Sequence, residues 1–294
     1  MKKHSLLILM FVFLLILIPA CKQEPAPSED ENNASEDSSP ADPESPPAQA
    51  LAGPCDNILY PLNPGNDWTY ATEIVGEDGQ PETSQYSWSV SESTSSSVTL
   101  GTLFKESGVV LNAEVICKDG AIVDFPMSQL NMVFGDVEGD IVYAFKSGTF
   151  MPSEQEFEAQ DWTNTWDTNV EASGVITANF EGESMTINLA SSPISMNWEV
   201  IGTGQGVEVP AGSFTNAVLV NQDLTFDINS LSITMEGQSF DIATTIKINS
   251  DMWFEPHVGL LRTEVKSMTM DLFGSAFPID PMGYTELISS NLIE

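Results

Sequence analysis

Across residues 55 to 294, apolar and polar side chains alternate in one run after another, and a chain patterned with this period buries its apolar side as β-sheet. The runs include "DWTYATEIV", "QYSWSVSES", "SSVTLGTLF", "VLNAEVICK", "DIVYAFKSG", "GVITANFEG", "ESMTINLAS", "AVLVNQDLTFDI", "FDIATTIKI" and "RTEVKSMTMDLFG". Between them stand "GEDGQ", "KDGA", "EGES", "ASSP" and "PAGS", whose glycines, prolines and short polar residues favour tight reversals. The prediction is an all-β domain, an antiparallel meander forming a large curved sheet, as a half-barrel or an open barrel. No fixed repeat argues for a propeller or solenoid. One short helix is predicted within "PSEQEFEAQDWTNTW", where a Pro-Ser start precedes Phe157, Trp162 and Trp166, although "WTNTW" equally fits the start of a strand. A sheet this long must curl, close, or cover one face.

The first twenty residues have a different plan. Lys2 and Lys3 precede an apolar run from Leu6 to Ile18, then Pro19 and Ala20, which is the layout of a secretory signal. The stretch Ile18-Pro19-Ala20-Cys21 resembles a bacterial lipobox, and the resemblance implies that Cys21 is acylated and becomes the new amino terminus. Residues 21–54 then form the lipidated cysteine and an acidic, Pro/Ser-rich tether with too little apolar surface to offset the entropy of ordering it. Lys22 directly after the cysteine resembles the pattern of an outer-membrane destination in diderm bacteria. The expected organisation is therefore a signal peptide over 1–20, a tether over 21–54 and one extracytoplasmic domain over 55–294, held on a bacterial membrane by its lipid.

The chain carries 43 acidic and 9 basic residues, a formal net charge of −34. Only Lys105, Lys118, Lys146, Lys247, Arg262 and Lys266 are basic beyond residue 54. Such a field repels phosphate backbones, so no nucleic-acid partner is expected. Of the three cysteines, Cys21 is assigned to lipid, leaving Cys55 and Cys117; an oxidising setting and an even remainder predict that they pair, against the alternative of two free thiols.

Three local patterns bear on family. "YPLNPGNDWTY" sets Pro61, Gly65, Trp68 and Tyr70 at the start of the domain; "VEVPAGSFTNAVLV" sets Pro210, Gly212, Phe214 and Asn216 at a strand-turn-strand joint; "MWFEPHVGLLRTE" sets Trp253, Phe254, Pro256, Gly259 and Leu260 in another. In this order they resemble a group of uncharacterised bacterial lipoproteins. The resemblance implies a curved antiparallel sheet similar to the half-barrels of lipoprotein carriers and of mycobacterial lipid-carrying lipoproteins, which hold acyl chains between sheet and helix. It brings no catalytic residues with it, and this sequence departs from the carriers in having little helix to cover the concave face.

Catalytic chemistry finds few residues. His257 is the one histidine beyond the signal, so any Ser-His-Asp or Cys-His arrangement would depend on it, and no G-x-S-x-G elbow is present. "GTGQG" at 202 to 206 lacks a strand-to-helix phosphate loop's setting. No enzyme activity and no resident cofactor are expected. Carboxylates are abundant enough to hide a hydrolase pair, and that reading is kept as the least favoured. Asp136, Glu138 and Asp140 in "GDVEGDI" alternate in a way that suits calcium, though an acidic hairpin explains them equally.

Six tryptophans and twelve methionines suit either a large core or a ligand cavity. The leading expectation is a non-enzymatic envelope lipoprotein that binds a lipid or other apolar ligand, with Trp68, Tyr70, Trp198, Phe226 and Trp253 lining the site. The alternative is a structural or adhesive module with an envelope-protein partner, which would expose an apolar patch.

Overall fold

The computed structural model describes residues 53–75, 81–125, 139–180, 183–235, 238–272, 274–279 and 283–293. The signal, Cys21 and nearly all of the tether lie outside them, as do Asp136 and Glu138. The described chain is all-β with one short helix, α1 (Glu154–Ala159). Its strands are β1 (Asp67–Val75), β2 (Pro81–Ser93), β3 (Ser97–Phe104), β4 (Val110–Lys118), β5 (Ala121–Asp124), β6 (Gly139–Gly148), β7 (Thr165–Phe180), β8 (Glu183–Val209), β9 (Gly212–Met235), β10 (Gln238–Glu255), β11 (Gly259–Leu272), β12 (Ser275–Ile279) and β13 (Tyr284–Ser290).

Every pairing is antiparallel, and one 13-stranded sheet runs β5-β4-β3-β2-β1-β13-β11-β10-β9-β8-β7-β6, with β12 added to β11. Two meanders are thus joined by the last strand, β13, lying between β1 and β11. The sheet curls until its two ends nearly meet: Ile122 of β5 and Met151, just past β6, exchange N–H···O bonds of 2.8 and 3.0 Å. A sheet of this width has two edges to protect, and near-closure into a barrel removes part of both.

The reversals follow their residues. Asp119 and Gly120 both take positive φ (51° and 81°) in a two-residue turn between Lys118 and Ala121, the geometry that matches hairpin twist. Pro210 and Ala211 form the β8–β9 turn, and Pro256, His257 and Val258 the β10–β11 turn. Gly259 closes the latter at φ 114°, where a Cβ would come within 3.1 Å of Trp68 Nε1. "ASSP" is a different case, because the predicted reversal is a bend inside β8, which runs on for 27 residues. The pairings skip together there: β7 between Ala172 and Gly174, β8 to β9 between Leu189 and Ile194, β10 to β9 between Ile242 and Thr244. A line of bulges across four strands lets a long twisted sheet turn a corner without ending it.

Helix α1 starts on Ser153, whose hydroxyl accepts from Glu156 N–H while the Glu156 carboxylate accepts from Ser153 N–H, a reciprocal capping box. It stops at Ala159, before the tryptophans. Trp162 sits at φ 57° in the following turn and Trp166 in β7, and both rings lie against Phe157, at 4.9 and 5.6 Å between centroids. The three side chains cluster, but on a helix, a turn and a strand.

Candidate functional site

The strands present their inner faces to a common interior whose two ends differ. One end is crossed by residues 55–62. Cys55 is disulfide-bonded to Cys117 of β4. Asn57 is 1% exposed; its Nδ2 donates to Gly120 O (2.9 Å) and Pro152 O (2.7 Å), one on each side of the near-closure, and its Oδ1 accepts from Leu59 and Tyr60 N–H. His257 N–H donates to Ile58 O at 2.7 Å. This segment is a plug tied to turns from both meanders. Such a buried disulfide belongs to an oxidising compartment.

Aromatic rings fill the space beneath the plug. The Tyr60 ring lies 5.2 to 6.4 Å from those of Trp88, Phe125, Phe150 and Phe254, and Tyr70, Tyr86 and Trp88 form a second group at 5.2 to 5.8 Å. Trp198 stacks on Trp166 and meets Phe150 edge-on at 5.4 Å. Trp68 Nε1 donates to Val258 O (2.6 Å), and the Tyr70 hydroxyl to Leu260 O (3.2 Å), which ties the first strand to the β10–β11 turn. Burial pushes the phenols of Tyr70 and Tyr86 far above their ordinary range, so both stay neutral.

Beyond the line of bulges the interior changes chemistry. Its inner face there is made by Ile187 and Leu189 of β8, Leu231 and Ile233 of β9 and Ile242 of β10, a wall of branched aliphatics, while Ile246 and Ile248 of β10 and Met268 and Met270 of β11 stand on the plug side of the bulges, level with Phe226 and Leu224 of β9. Around this distal end apolar side chains reach solvent: Leu103, Val109, Val110 and Leu111 at the β3–β4 reversal, Val142 and Val175 on β6 and β7, Phe240 on β10 and Phe277 on β12. Among the described residues no segment crosses this end as residues 55–62 cross the other.

Of the residues singled out as ligand-lining, the structure gathers four in the interior: Trp68, Tyr70, Trp198 and Phe226 are all at most 3% exposed and belong to the one apolar core. Trp253 points the other way. It lies between Met252 and Phe254, which face inward, and its ring is on the outer surface, 5.9 Å from the Arg262 guanidinium, which also lies 5.0 Å from the Tyr284 ring. Arg262 bonds Glu286 at 3.0 Å there. Alternation within "MWF" carried that distinction; tryptophan identity hid it. The aliphatic wall was missed because isoleucine in a strand reads as ordinary core.

His257 is exposed in its turn at φ 65°, its backbone bonded to the plug. Asp140 lies on β6 opposite Val175. Among the described residues, no three His, Cys, Asp or Glu side chains converge on a point where a metal ion could sit. Burial raises the carboxyls of Asp124 and Glu255; Glu255 accepts one bond from Asn216 N–H, while its Oε2 is buried without a partner among the described residues.

No family model matches the chain, and no curated protein matches it. Among solved structures, the chain is similar to the crystal structure of a candidate lipoprotein from Parabacteroides distasonis ATCC 8503, at 17% identity and TM-score 0.45, covering 80% of this chain and 99% of that one.

Proposed function

We propose that this protein is a lipid-anchored extracytoplasmic lipoprotein of a bacterial envelope that holds an apolar ligand without transforming it. The observation that carries this reading is the contrast inside the barrel. One end is plugged, disulfide-tied and packed with aromatic rings, whereas the other is lined by Ile187, Leu189, Leu231, Ile233 and Ile242 and rimmed by exposed apolar side chains. Ligand sites are concave and mostly apolar, and branched aliphatics suit acyl chains better than flat rings. The disulfide supports an oxidising location, and the lipobox-like Cys21 supplies the anchor. His257 has no role in this reading.

Native mass spectrometry of the mature protein purified from membranes, followed by extraction and identification of bound molecules, tests it. A stoichiometric apolar adduct supports the proposal. A clean apo mass, reproduced after incubation with envelope lipids, removes it.

A second reading rests on its own observation. Val109, Val110 and Leu111 are three consecutive apolar residues at 48, 56 and 39% exposure, a pattern that breaks alternation and that a surface strand in water has no reason to keep. Residues Val110–Glu114 of β4 also pair on one side alone among the described strands, so this edge suits an interaction module that captures a protein partner.

A further inference from the structure

The inner wall is almost wholly apolar, and its few polar groups are informative. Where the aliphatic region meets the aromatic core, the inner face carries small side chains: Ala172 on β7, paired with Ser192 on β8, both fully buried, and Thr244 on β10. The hydroxyls of Ser192 and Thr244 are already used, donating to Ala190 O (2.7 Å) and Asp271 O (2.6 Å). Tyr143 of β6 lies directly opposite Ala172 on the same face, between the half-buried Ile141 and Phe145. Its hydroxyl is buried and has no hydrogen-bond partner among the described residues. Burying such a group unpaired costs free energy, and native proteins rarely leave one so.

The interior also lacks counter-charge. The basic residues of the folded part lie off the inner face. Lys146 follows Phe145 and Lys247 separates Ile246 from Ile248, so both project outward; Lys118 follows the inward Cys117; Lys105 is in the β3–β4 reversal; Arg262 and Lys266 join the outer network with Glu286, Glu264 and Asp251. An anionic head group drawn inside would lose its hydration and gain no cation, in a protein of net charge −34.

From these two observations we infer that the ligand is a neutral amphiphile whose polar group is a hydrogen-bond acceptor, an acyl ester rather than a free fatty acid, and that the Tyr143 hydroxyl donates to its carbonyl oxygen. This inference rests on the proposed apolar-ligand function and specifies its chemistry. Burial pushes the Tyr143 phenol up to about 12, so it remains a donor across physiological pH.

The test is displacement of a fluorescent apolar dye from the delipidated mature protein at pH 7.5 by three probes: 1-palmitoylglycerol, palmitate and hexadecane. The expected result is that the ester displaces the dye at lower concentration than palmitate. In Tyr143→Phe the ester should weaken about fivefold, as loss of one net hydrogen bond implies, while hexadecane is unchanged. Unaltered melting of Tyr143→Phe confirms that the fold is intact, and Tyr143→His, which restores a donor, should recover part of the ester preference. If hexadecane competes but palmitate equals or exceeds the ester, or the ester is indifferent to Tyr143→Phe, the inference is overturned and the apolar-ligand function stands. If none of the three displaces the dye, both are overturned.

Discussion

The two ends of this barrel are built from the same alternation, yet they are held together by different means. At the plugged end, residues 55–62 are held by a disulfide, by four hydrogen bonds to the Asn57 side chain and by rings packed on several sides. At the distal end the walls are the far reaches of strands of 16 to 27 residues, lined by aliphatics and bordered by exposed apolar groups. Packed rings and a side chain that makes four hydrogen bonds specify a single arrangement. Branched aliphatics carry no polar atom that fixes an orientation, which suits a surface whose occupant changes.

Substitutions at the plugged end should therefore cost stability, and those at the distal end should cost binding. The largest effect is expected for Trp88→Ala, about 3–5 kcal/mol by denaturant unfolding, because a fully buried ring touching Tyr60, Tyr70, Tyr86 and Phe125 leaves a cavity its neighbours cannot close. Paired Cys55→Ser and Cys117→Ser should cost about 4 kcal/mol, since the bond closes a 62-residue separation in the unfolded chain. Asn57→Ala should follow at about 3 kcal/mol, as carbonyls on both sides of the near-closure lose their donor. By contrast, Ile233→Val should lower stability by only about 1 kcal/mol while measurably weakening any bound acyl chain. Equal stability costs at the two ends would erase the distinction.

The smallest effect concerns pH. The folded state holds the Glu255 carboxyl above its ordinary value through burial, so it binds a proton more tightly than the unfolded chain does. Stability tied to this group is therefore present below the ordinary carboxylate value, about pH 4, and is lost as pH rises through the raised folded value. Glu255→Gln keeps an acceptor for Asn216 N–H and should melt slightly higher at pH 7, with the difference vanishing below about pH 4. A difference that persists in acid would assign the effect to packing.

How far this could be read beforehand varies by element. β1 and β4 coincide with quoted runs, and the Asp119-Gly120, Pro210-Ala211 and Pro256-His257 reversals follow from residues whose backbone preferences are strong. "ASSP" misled because serine and proline serve a bulge as well as a turn, and which one forms depends on whether neighbouring strands bend at the same level. The place of β13 between β1 and β11 is a long-range choice with no local signal. The candidate site was legible only as a class: tryptophan drew attention to Trp68, Tyr70 and Trp198, whereas the contrast with the aliphatic wall appears only once register assigns each isoleucine to a level of the barrel.

The most direct test of that contrast is photolabelling of the mature protein with a diazirine-bearing acyl ester, followed by peptide mapping. Labels concentrated on peptides containing Ile187, Ile233 and Ile242, and competed by unlabelled ester, are the predicted result. Saturable labelling of peptides beneath the plug, around Trp88 and Phe254, or confinement of label to the exposed Val109–Leu111 stretch, would contradict an apolar site in the distal end.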